Sequence, residues 1–159
     1  MPIVSPLPMS ERIGEAVKAA LLLIVSDGVR YSYTPDVVLI VEDLNVDKLE
    51  TKKQLVYWIL EGDHKPVEAT NNQFQYTTYL SVFGAYRYPA PPAGAPARKT
   101  IRNLIAEDII RALTKDVSLG GLVINVEVTE ISRDIRIDNT VEWICVSAFV
   151  VVTSKAYLL

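Results

Sequence analysis

Apolar side chains recur at helical spacing twice along the 159 residues, and in alternating or unbroken runs at five other places. Ile13, Ala16, Val17, Ala20, Leu21 and Ile24 share one side of a helix that Ser10 is placed to cap and Asp27-Gly28 to stop. Leu22, Leu23 and Val25 then make its last turns apolar almost all round, so more than one element, or another subunit, must cover them. In the second helix, capped by Thr100, Ile101, Ile105, Ala106, Ile109, Ile110, Ala112 and Leu113 form the buried side. Asn103, Glu107, Arg111 and Lys115 form its solvated side, with Glu107 and Arg111 in the favourable i, i+4 order.

The five remaining runs have the signature of strands. Val37 to Val41 is continuous and rich in β-branched residues, which predicts a strand buried on both faces. Gln54 to Leu60 and Gln75 to Tyr88 predict an antiparallel pair turning at Asn71-Asn72, since asparagine tolerates the positive φ of tight turns. Between them Gly62 and Pro66 should weaken pairing, so the segment from Glu61 to Phe74 reads as a loose arm reaching past the core. Pro89 to Pro96 can form neither ladder nor helix, and predicts an extended Pro/Ala-rich loop over 89–98. After a turn at Gly120-Gly121, Val123 to Ile131 and Val141 to Val152 close the pattern. In the last run Ile144, Val146, Ala148, Val150 and Val152 oppose Trp143, Cys145, Phe149 and Val151, so this strand should be central and covered on both sides. The elements predict an α+β fold, with two helices packed on a mixed, mainly antiparallel sheet.

Size and composition narrow the picture. A chain of 159 residues suits a single domain spanning 1–159, and half of them being apolar permits a packed core. A net charge of -3 argues against a nucleic-acid clamp, which needs concentrated Lys and Arg. Cys145 is the only cysteine, so no internal disulfide can form, and its apolar surroundings predict a buried hydrophobe. The start of the chain has no basic segment followed by a signal-type apolar core, which predicts no secretory signal, and Leu21 to Val25 is too short to span a bilayer.

Catalytic motifs do not emerge. His64, the only histidine, falls between Asp63 and Lys65 and predicts a solvated side chain rather than part of a triad. One histidine and one cysteine far apart cannot bind zinc, and Gly120-Gly121 has no phosphate-loop residues around it. Asp134 with Asp138, and Glu127 with Glu130, could do acid and base work but lack a recognisable pocket. The tyrosines at 31, 33, 57, 76, 79, 86, 88 and 157 have no coincident basic stripe, so they predict strand packing or a protein interface rather than base stacking. Glu42, Asp43, Asp47 and Glu50, against Lys48 alone, make a local negative cluster.

From Asp108 through Leu119-Gly120-Gly121 to Val123, then a β-run through Glu130, then Glu142 to Val152, the chain resembles the tail terminator, or tail completion, proteins of long-tailed bacteriophages. The shared pattern is a helix ending in a short polar turn with Leu-Gly-Gly and a terminal antiparallel strand pair. An early helix followed by an apolar strand completes it, over about two thirds of the chain. The Pro/Ala-rich segment and the long preceding strand pair depart from that pattern.

The resemblance implies a non-enzymatic virion protein, without cofactor or metal, that assembles in the host cytoplasm and resides at the head-proximal end of the tail. It implies a homo-oligomer, a hexameric ring, that meets the tail tube protein on one side and the head-tail connector protein on the other. DNA passes through its centre without specific binding. On that basis Tyr31, Tyr33, Asp63, His64, Lys65, Pro66, Phe74 and Tyr76 are candidates for ring or partner contacts, and Glu42, Asp43, Asp47 and Glu50 for an acidic channel lining. A different head-tail connector or a tube subunit is the nearest alternative. A small cytoplasmic ligand-binding domain, or an enzyme without a recognisable motif, is the alternative of another class.

Overall fold

The computed structural model describes residues 8–44, 49, 53–70, 73–88, 97–138 and 141–157. The elements run α1 (Met9–Leu22), β1 (Val37–Val41), β2 (Leu55–Thr70), β3 (Gln73–Tyr88), α2 (Arg98–Thr114), β4 (Asn125–Asp138) and β5 (Val141–Tyr157). The strands form one sheet in the order β1-β2-β3-β5-β4. Among these strands β1 and β2 run parallel, and the other neighbours are antiparallel. The fold is α+β, as the pattern predicts.

Both helices lie on one face of this sheet. Ile13, Val17 and Leu21 of α1 and Ile101, Ile105, Ile109 and Leu113 of α2 join Tyr57, Ile59, Val82, Ile144, Val146, Ala148 and Val150 in the main core. Burial of such side chains stabilises by about 1.5–3 kcal/mol each. β5 is an interior strand, flanked by β3 and β4. On its opposite face Trp143 and Cys145 are buried in a smaller cluster with Val56, Trp58, Phe83, Ala85 and Leu49, so this face is covered at only one end. Toward the other end Phe149 is 41% exposed, where the sequence pattern predicts covering protein.

Four local expectations are corrected. Ser10 and Thr100 lie inside their helices, whose N-caps are Pro8 and Ala97 in extended conformation with no side-chain capping bond. α1 ends at Leu22, leaving Ile24 buried beyond the last helical residue. β1 is an edge strand, with Val38 buried under α1 and Leu39 46% exposed on the opposite face. The segment from Glu61 to Thr70 is a ladder continuous with β3, not a loose arm.

That ladder survives its glycine and proline for identifiable reasons. The register shifts between Glu61 and His64, and Gly62 at the bulge lies so close to the Tyr79 carbonyl that an added Cβ would sit 2.8 Å from its oxygen. Pro66 lies beyond Leu60, the last residue that pairs with β1 among the described residues, and directly before a second register shift, between Pro66 and Glu68. Asn71-Asn72 and Pro89 to Pro96 lie outside the described residues.

Candidate functional site

The candidate contact residues separate into two places. Asp63, His64, Lys65, Pro66 and Tyr76 gather on the outer part of the β2-β3 ladder. There the His64 ring stacks on Tyr76, with centroids 4.8 Å apart and planes 8° from parallel, and Nδ1 meets the Thr78 hydroxyl. His64 is therefore a half-buried strand residue, which corrects the solvated loop expected from its charged neighbours. Lys65 pairs with Asp63 at 3.2 Å and lies 6.0 Å above the Tyr79 ring. Phe74 pairs in register with Ala69 and Ala156, and its side chain is outside the described residues.

Tyr31 and Tyr33 belong instead to the segment between α1 and β1, and both are half-buried against the main core. The Tyr33 ring lies 5.1 Å from that of Tyr86. Sequence reasoning misses what holds this segment: Asp108 of α2 is fully buried and accepts the backbone N–H groups of Ser32 and Tyr33, each at 3.0 Å. Burial raises its carboxyl above the usual range, outweighing the opposite pull of those amides. The signal was present in sequence, since position 108 falls among Ile105, Ile109 and Ala112 on the buried stripe. Ile110, assigned to that stripe, is 36% exposed.

The acidic candidates acquire new company. Glu42 and Asp43 are exposed just beyond β1, whereas Asp47 and Glu50 lie outside the described residues. Glu42 shares a concavity of about 600 Å³ with Glu11, Glu15 and Glu61, drawn from α1 and β2. Glu61 is pushed above the ordinary carboxylate range, first by desolvation against α1 and then by Glu11 and Glu15. It can approach because position 14 is glycine, where any Cβ would collide with its carboxylate. Four carboxylates from three segments therefore form one negative corner, which linear inspection of 42–50 could not reveal.

The remaining carboxylate candidates lie along β4. The extra residue Thr129 shifts the register between Val128 and Glu130, so Glu127 pairs with Val151 and Glu130 with Phe149 on the same sheet face. Neither edge of the sheet, β1 or β4, has a further strand beside it among the described residues. No group of three or more His, Cys, Asp or Glu among them is arranged to hold a metal ion, and no helix among them is long and apolar enough to cross a membrane. No family model and no curated protein matches the sequence.

Proposed function

We propose that this protein is a structural subunit of a phage tail, forming a hexameric ring on the tail tube that stops its growth and offers a surface for head-tail joining. The observation that carries the proposal is the junction of α2, the Leu119-Gly120-Gly121 turn and the β4-β5 pair, the pattern on which the resemblance rests. Leu119, Gly120 and Gly121 all have positive φ, and Asp116 accepts the Gly120 N–H at 2.8 Å, so the turn is a specific structure and not a generic loop. The two sheet edges, with no further strand beside them among the described residues, add support, because a ring can hide each edge against a neighbour.

In this role the negative corner at Glu11, Glu15, Glu42 and Glu61 faces the channel. There it repels the phosphate backbone and keeps passing DNA from adhering. The hairpin surface around Asp63 to Pro66 contacts the tube protein or the connector. Both assignments follow from assembly, and neither requires a reaction.

The test is polymerisation of purified tail tube protein with and without this chain, with tube lengths measured by negative-stain microscopy. Termination predicts tubes that stop lengthening once capped. Growth at an unchanged rate and to unchanged length would overturn the proposal.

A further inference from the structure

Each outer layer of the subunit carries an apolar patch, and the two lie on opposite sides. On the helix layer, α1 and α2 bound a groove of about 370 Å³ floored by Ala16, Ala19, Ala20 and Ala112 and rimmed by Leu23 and Lys115. Leu23 is 71% exposed there. On the sheet layer, Tyr79 and Phe149 stand 44% and 41% exposed, on the part of the face that the smaller cluster leaves open.

We propose that the Tyr79-Phe149 ridge of one copy seats in the alanine-floored groove of the next, a head-to-tail contact between copies of this chain. Alanine side chains leave the space that a large aromatic ring fills. Local charge favours the pairing: Glu127 and Glu130 flank the ridge through their pairing with Val151 and Phe149, the Lys65 ammonium over the Tyr79 ring is balanced by Asp63, and Lys115 stands in the groove. The other charged residue of the groove, Asp116, keeps its charge but turns it toward the Ser118 hydroxyl and the Gly120 N–H.

Placement on opposite layers sets the symmetry. A twofold dimer through either patch would leave the other exposed on both copies, whereas head-to-tail repetition buries ridge and groove on every copy and can close into a ring. The contact gives the ring reading its subunit interface, yet it stands or falls by its own measurement.

Sedimentation velocity over a concentration series tests it with the full chain, Leu23→Glu, Phe149→Glu, and an equal mixture of the two variants, with circular dichroism reporting folding. The unsubstituted chain is expected to assemble beyond a dimer, and each variant alone to remain monomeric. The mixture should stop at a 1:1 dimer, because one variant keeps its ridge and the other its groove. Ala19→Glu supplies a second groove variant should Leu23→Glu fold poorly, and Lys115→Glu combined with Glu127→Lys and Glu130→Lys should recover assembly that Lys115→Glu weakens. A monomeric parent chain, variants that assemble like the parent, or a mixture that stays monomeric would each overturn the contact. Assembly with this pattern but no effect on tube growth would overturn the terminator proposal alone, and capping by variants that still form rings would overturn the contact alone.

Discussion

The Asp108 carboxylate reaches across the main core to the backbone of Ser32, 76 positions earlier, and both its oxygens lie 3.0 Å from that amide nitrogen. With the Tyr33 amide bound as well, and Arg111 donating to the Arg30 carbonyl at 2.6 Å, α2 fastens the segment that leads from α1 into β1. Without this attachment two partly buried amides would lose their acceptor.

Asp108→Ala is expected to cost about 1–3 kcal/mol in denaturant unfolding, and Asp108→Asn less, because the amide oxygen still accepts. The pH dependence follows from the upward shift. The folded carboxyl titrates above its ordinary 3.8, so the stability it contributes is present in full below that value and is lost as pH rises through the folded pKa. Relative to Asp108→Asn, the parent chain should therefore weaken as pH rises from about 3.8, measured by urea unfolding in a pH series. A difference that moved the other way would show that the amides, not burial, dominate.

Asp27 should behave in the opposite sense. Its Oδ1 accepts from Arg30, Val29 and Tyr31 amides at 2.7, 2.9 and 3.1 Å, which hold the carboxyl down at about 2. A depressed pKa contributes stability above 3.8 that disappears as pH falls through about 2. Amide hydrogen exchange at Val29, Arg30 and Tyr31 is expected to quicken over that window in the parent chain and to be fast throughout in Asp27→Ala. Equal protection in both would remove the role assigned to this turn.

Two glycines should respond differently to alanine. At Gly84 a new Cβ would lie 2.9 and 3.1 Å from the Tyr57 ring and 3.4 Å from Ile105, so Gly84→Ala is expected to destabilise by about 1–3 kcal/mol. At Gly14 the obstacle is the end of the Glu61 side chain, which can swing aside while the helix gains about 1 kcal/mol in propensity, so Gly14→Ala should be close to neutral. The Tyr57 hydroxyl is buried and has no hydrogen-bond partner among the described residues, hence Tyr57→Phe should leave the melting temperature unchanged or raise it. Thermal unfolding of the three variants checks the order.

Helical periodicity locates α1 and α2 because their buried stripes are long, whereas the caps elude it. Ser10 and Thr100 are good capping residues, but the helices begin earlier, at Met9 and Arg98, without using either side chain. The run Val37 to Val41 is legible as a strand and illegible as an edge, since five apolar residues look alike whether one or two strands flank them. Gly62 and Pro66 signal interruption, and the ladder instead absorbs them at two register shifts. Contacts between distant segments, such as Asp108 with Ser32 or Glu61 with Gly14, depend on tertiary placement that spacing does not encode.

The claim that this chain ends a tail tube by forming a ring is tested most directly by counting its copies on finished tubes. Cryo-electron microscopy of capped tubes should show a single six-copy ring at one end. Copies repeating along the tube, or tubes that carry none, would contradict it.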